Sequence, residues 1–213
     1  MRIGIFGGAF DPPHAAHAAV ARAALRQVRL DRIVWVPTYS PPHKSGPVAS
    51  FADRCAMVRA MIGEQEGATG DGQPPAFEVS EVEASLAPPS YTLHTLHALK
   101  RLYPDPSHDW VLILGADNAV TFSRWHHPDE VLALASLAVY PRAGFPLDAS
   151  HPQTEGLPPG AVVLNFPEMH DQSTEYRELL ANPETRGAAL DRLPGPVASY
   201  IRARGLYTVE SAP

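Results

Sequence analysis

Cysteine is almost missing from the 213-residue chain. Cys55 stands alone, which excludes an intrachain disulfide, and its setting in FADRCAMVRAMI, which reads as an amphipathic helix, suits a small buried thiol better than a nucleophile. Lysine is nearly as scarce: Lys44 and Lys100 stand against 15 arginines, and the formal net charge is −6. That balance excludes a protein that holds nucleic acid through a broad basic face, because neutralising phosphates takes clustered Lys and Arg. Any phosphate site must be local. Long apolar runs are also missing. Met1 leads straight into the strand-like RIGIF with neither a charged leader nor a stretch long enough to span a bilayer, so the expectation is a cytoplasmic protein with no membrane partner.

What is present is enough for one core. Hydrophobic residues make up 45% of the chain and charged residues 19%, the balance of an ordinary α/β domain. Short β-rich runs begin at Arg2 (RIGIF), Arg32 (RIVWVP), Phe77 (FEVSEVE), Trp110 (WVLILGAD), Leu137 (LAVYPR) and Ala161 (AVVLNF). Between them lie helical patterns: His14 to Arg29, with Val20, Ala24 and Val28 at helical spacing; a helix opened by SFAD from Ser50, which resembles a capping box; and Tyr91 to Leu102, with leucines at 93, 96 and 99. The alternation predicts a Rossmann-like, doubly wound and mainly parallel sheet. GEQEGATGDGQPP and PRAGFPLDASHPQTEGLPPG read as surface loops. STEYRELLAN, from Ser173 or Thr174, and PGPVASYIRARG, with Gly205 at its stop, add a short helical C-terminal part over about 173–207. The whole of 1–213 is expected to form one domain. Most of the 23 prolines fall between elements.

The chemistry gathers in GIFGGAFDPPHAAH, Gly4 to His17. An apolar strand that runs into Gly7 and Gly8 and then into a helix sets bare backbone N–H groups beside a helix N-terminus, a physical site for phosphate. His14 and His17, three residues apart, share one helical face and can point at one anion. Asp117 follows the strand WVLILG at the carboxyl edge, where open parallel sheets bind ligands. Trp125, among polar neighbours in SRWHHPD, is placed to stack on a flat ring. Tyr91 and Thr92 open a helix whose free N–H groups suit a carboxylate. Ser173 and Thr174 open another, with Arg177 one turn on. The adjacent histidines of HHPD lack the spacing of a metal site, and no residue of the chain is read as a metal ligand.

GGAFDPPHAAH resembles the GGxFDPxHxGH signature of the nucleotidyltransferase superfamily marked by a T/HxGH motif. PPHK (Pro41 to Lys44), PSYTLHTL, LGADNAVTFSRW, RAGFPL, STEYR and SYIRARGLY extend the resemblance over nearly the whole chain to one branch, the bacterial nicotinate mononucleotide adenylyltransferases. Departures fall at Ala9, where threonine is common, at Ala16, where glycine is usual, and at Asp171 and Gln172, where the branch carries Ile and Ser.

The resemblance implies transfer of AMP from ATP to nicotinate mononucleotide, with release of pyrophosphate, as a step of NAD biosynthesis. It implies His14, His17, Arg177 and Lys44 as the catalytic groups, which supply the positive side of the site. Gly7, Gly8, Ala9, Phe10, Gly115, Asp117, Ser173 and Thr174 would meet ATP, with Asp117 on the ribose, and Tyr91, Thr92 and Trp125 would meet the pyridine nucleotide. Mg²⁺ would be held mainly by ATP phosphates and water. Use of nicotinamide mononucleotide, of phosphopantetheine, or a nucleotide-binding regulatory role without turnover are the alternatives, and a homo-oligomer is left open.

Overall fold

The computed structural model describes residues 1–40, 48–66, 76–145, 147, 156–167 and 171–208. Six strands form one all-parallel sheet: β1 (Arg2–Gly8), β2 (Arg32–Pro37), β3 (Phe77–Val79), β4 (Asp109–Gly115), β5 (Ser136–Tyr140) and β6 (Val162–Val163), in the order β3-β2-β1-β4-β5-β6. All six runs expected from the sequence contribute, but FEVSEVE is extended only to Val79 and then tightens into a 3₁₀ turn, Val82–Ser85. AVVLNF supplies just two paired residues.

Both faces of the central strands are apolar, as a parallel sheet covered on both sides requires. Because side chains alternate, Phe6, Ile33, Trp35, Val111 and Ile113 enter one cluster while Ile3, Ile5, Val34, Val36, Leu112 and Leu114 enter the other. The first cluster is closed by α1 (Ala15–Gln27), α2 (Phe51–Glu66) and a C-terminal set, α6 (Ser173–Ala181), α7 (Pro183–Arg192) and α8 (Gly195–Arg204). The second is closed by α3 (Thr92–Leu102), the short α4 (Ala116–Ala119) and α5 (Pro128–Leu134). No helix of the described residues is long and apolar enough to cross a membrane.

Several local expectations shift. Helix α1 begins at Ala15, with His14 as its N-cap. The Ser50 hydroxyl accepts from the N–H of Asp53 at 3.1 Å, as a cap should, but the Asp53 carboxylate faces α8: it accepts from the Ser50 hydroxyl (2.6 Å), the Tyr200 hydroxyl (2.9 Å) and Arg204 (3.2 Å). A local cap signal thus serves a tertiary tie. GEQE, expected as loop, continues α2 to Glu66. Cys55 is fully buried, and burial pushes its thiol up to about 11, which makes it a poor nucleophile.

The order of strands reverses between β1 and β4. Their carboxyl ends, Gly8 and Gly115, open the crevice where doubly wound sheets take ligands.

Candidate active site

Two cavities meet over this crevice. Gly7, Gly8, Ala9, Leu114 and Asn118 line both. The larger, about 710 Å³, is walled by His14, His17, Arg142, Ser173, Thr174 and Arg177; the smaller, about 260 Å³, by Tyr91, Thr92, Thr95, Trp125, His126 and Glu83. A Cβ built on Gly7 would meet nothing within 4 Å, so the glycine leaves open space where the lobes join. Gly115 has the opposite reason: a Cβ there would lie 2.6 Å from Asp117 Oδ1 and 3.3 Å from the Tyr140 ring.

The histidines are built from the turn upward. Phe10, at φ 50°, drives its ring into the core against Phe6 (5.6 Å) and Trp35 (5.2 Å), and that ring props His17 edge-on at 5.1 Å. The side chain of Phe10 is therefore core, although the residue also borders the larger lobe. His14 lies between the His17 ring (3.8 Å) and the Tyr176 ring (5.6 Å, stacked). The backbone N–H of His14 donates to Nδ1 of His17 at 3.2 Å, which leaves the Nε2 proton of a neutral His17 free to donate. His14 is 4% exposed, and its Nδ1 is buried without a hydrogen-bond partner. In a native protein such an orphan calls for a ligand or water.

Burial is the main force on both imidazoles. It lowers His14 to about 4, with Asp171 opposing and Arg142 assisting, and it holds His17 well below the ordinary range, with His14 and Arg142 assisting. Both rings are therefore neutral at pH 7, which corrects the expectation that they supply positive charge: buried imidazoles act here as neutral hydrogen-bonding groups. The linkage follows in sign: a histidine lowered on folding binds fewer protons folded than unfolded between its two values, so stability rises with pH there. The contribution of His14 is intact above about 6.5 and is lost as pH falls toward about 4, a span of about 3 kcal/mol. In urea titrations from pH 7 to 4, His14→Asn is expected to flatten this dependence by that order, and an unchanged slope would contradict it.

Arg177 is anchored rather than free. Nη1 donates to the carbonyl of Asp11 (2.8 Å) and Nη2 to Thr174 Oγ1 (3.0 Å), while Ser173 Oγ donates to the carbonyl of Pro12 (3.0 Å). The start of α6 is thereby sewn to the turn before α1. Asp117 lies just past the carboxyl end of β4, in α4, and its carboxylate pairs with Arg142 at 3.1 Å. Arg142 and Asn118, both lining the large lobe, were not singled out from the sequence, although RAGFPL contains the former. Trp125 is half-buried against Phe122 (5.0 Å), and Tyr91 is the N-cap of α3, stacked on the exposed His126 at 4.2 Å. The N–H groups of Thr92 and Leu93 carry no hydrogen bond among the described residues, as expected of the first helical turn. Ala16 is buried and borders the large lobe. Lys44 and the rest of PPHK lie outside the described residues.

A family model described as Cytidylyltransferase-like matches residues 5–179. A "probable nicotinate-nucleotide adenylyltransferase" of Gloeobacter violaceus is 38% identical over 212 residues, covering 98% of this chain and 97% of that protein. A protein of the same name from Herpetosiphon aurantiacus is 36% identical over 210 residues, covering 97% and 98%. The chain belongs to the nicotinate-nucleotide adenylyltransferase family. Among solved structures, the nicotinic acid mononucleotide adenylyltransferase of Plasmodium falciparum complexed with NaAD superposes with a TM-score of 0.77 at 20% identity, over 97% of both chains. That likeness is one of fold.

Proposed function

We propose that the chain transfers AMP from ATP to nicotinate mononucleotide, forming nicotinate adenine dinucleotide and pyrophosphate, a step of NAD biosynthesis. The observation that carries this reading is the pair of lobes joined over Gly7, Gly8 and Ala9: one lined by neutral histidines, arginines and helix N-termini, the other by aromatic rings and small polar groups. Two nucleotides laid into them bring their phosphates together at the junction. A phosphate oxygen of the mononucleotide attacks the α-phosphorus of ATP, the bond from that phosphorus to the β-phosphate oxygen breaks, and the electron pair leaves with pyrophosphate. No protein nucleophile is needed; alignment and charge stabilisation carry the reaction.

In this reading the orphaned His14 Nδ1 and the free Nε2–H of His17 donate to ATP phosphates, with Arg177 and the N-terminus of α6 on the departing pyrophosphate. Lys44 would add charge from the lip, and Asp117 would exchange part of its pairing with Arg142 for the adenosine ribose. The carboxylates lining the larger lobe or beside it are engaged among the described residues, Asp11 by three donors, Asp117 by Arg142 and Asp171 by the Tyr176 hydroxyl. Mg²⁺ therefore enters with the triphosphate, as part of that substrate, held by phosphates and water.

Trp125 stacks on the pyridine ring, and the unpaired N–H groups of Thr92 and Leu93 receive its carboxylate at the positive end of α3. The amide offers those donors a weaker acceptor and an NH₂ facing the wrong way, a mismatch of about 1–3 kcal/mol, so a ten- to hundredfold preference in kcat/KM for the acid is expected. Rates of pyrophosphate release with the two mononucleotides test it, and equal rates or a preference for the amide would refute acid selection. Trp125→Ala should weaken both substrates in similar proportion, since both rings stack. A selective loss of one would place the indole elsewhere.

A further inference from the structure

Glu83 takes no part in the reading above. It sits in the 3₁₀ turn after β3 and is 6% exposed; among the described residues it is the one carboxylate that lines the smaller lobe, and no Lys or Arg among them lines it. Its partners are neutral: Oε2 accepts from the N–H of Tyr39 at 2.9 Å and Oε1 from the Thr95 hydroxyl at 2.8 Å. Arg54 feels Glu83 through space, but its guanidinium donates to the carbonyls of Ala49, Ala9 and Thr38. His126, the other ionisable group at this lobe besides Tyr91, is exposed at its rim beside His94 and His127.

A carboxylate kept out of water without a paired cation is costly, and a cation arriving with the ligand removes that cost. An N-ribosylated pyridine ring carries a permanent positive charge on its nitrogen. A lobe of about 260 Å³ keeps a ring inside it within a few ångströms of every wall. Resting on the AMP-transfer reading, we infer that Glu83 is a specificity-determining residue that selects the cationic pyridinium ring over an uncharged ring of the same outline, the reduced dihydropyridine. It also sets the ring's direction: the negative wall draws the ring nitrogen, while the ring carboxylate turns to the N-terminus of α3. Like charge at Glu83 would repel the reverse pose.

The test is pyrophosphate release with nicotinate mononucleotide and with its dihydro form, both of which keep the ring carboxylate. The wild type is expected to favour the pyridinium by roughly tenfold or more in kcat/KM, and Glu83→Gln to cut that ratio by about tenfold through KM for the pyridinium nucleotide, with KM for ATP unchanged. A ratio unmoved in Glu83→Gln, with both substrates impaired alike, would reduce Glu83 to a brace for Tyr39 and Thr95 and overturn the inference. Should that variant not fold, the wild-type ratio decides alone, and equal use of the two rings overturns it. No release by the wild type with either ring is a different outcome: it brings down the AMP-transfer reading itself, and this inference with it.

Discussion

His17→Ala is expected to lower kcat by about 10²–10³-fold while KM for ATP changes little, because a donor aimed at charge that develops on the transferring phosphate acts chiefly in the transition state. The geometry is specific about which atom does this. The His14 backbone N–H occupies Nδ1 of His17, so the proton sits on Nε2, and burial together with His14 and Arg142 keeps the ring neutral. A neutral donor needs no ionisation near pH 7, so the lost rate should not return between pH 6 and 8. The ring also packs edge-on against Phe10 at 5.1 Å, and its loss should cost stability of about 1 kcal/mol, which a melting curve separates from the loss of rate. Near-normal turnover of His17→Ala at saturating ATP and Mg²⁺ would remove this histidine from the reaction.

The second large effect falls on stability. Asp11, 2% exposed, accepts from the N–H groups of Val48 (2.8 Å) and Ala49 (3.1 Å) and from the Tyr207 hydroxyl (2.7 Å), with Arg177 Nη1 3.8 Å from its carboxylate. One side chain thus joins the phosphate turn, the segment before α2, the residues after α8 and the proposed pyrophosphate arginine. Burial and the Asp11 carboxylate push the Tyr207 hydroxyl strongly upward, so it remains a donor. Asp11→Ala strands these donors and leaves the guanidinium without its counter-charge, and is expected to cost about 3–5 kcal/mol in urea unfolding. Tyr207→Phe removes one donor together with its bond and should cost about 1 kcal/mol. Equal and small losses in the two variants would show that Asp11 is not the centre of this network.

The aspartate also marks the limit of what could be read from the chain. It stands inside GGAFDPPHAAH, yet nothing local says that its partners lie 37 and 196 residues away. The histidine pair was legible because its geometry is local, although His14 is the extended N-cap and His17 the third residue of the helix it opens, rather than two positions on one helical face. The six strands were legible because apolar β-rich runs alternate with helical patterns. Helix α7 was missed because Pro183–Arg192 carries few apolar residues and no clear amphipathic period, although Asn182 before Pro183 is a start signal, and its side chain does accept from the N–H of Glu184 at 2.9 Å. Arg142 and Glu83 reach the lobes from the end of β5 and from the turn after β3, so strand order alone brings them to the crevice. Asp117 was rightly placed at the carboxyl edge of β4, but its pairing with Arg142 needed β5 beside β4 to be seen.

The central claim is that the α-phosphorus of ATP moves to nicotinate mononucleotide at the junction of the two lobes. Incubation of the wild-type protein with ATP labelled at the α-phosphate, Mg²⁺ and nicotinate mononucleotide tests this most directly, with the label followed by chromatography. The expected result is label in nicotinate adenine dinucleotide, unlabelled pyrophosphate released in equal amount, and no transfer when the mononucleotide is omitted. Label recovered as AMP without dinucleotide, or left in ATP throughout, would contradict the account.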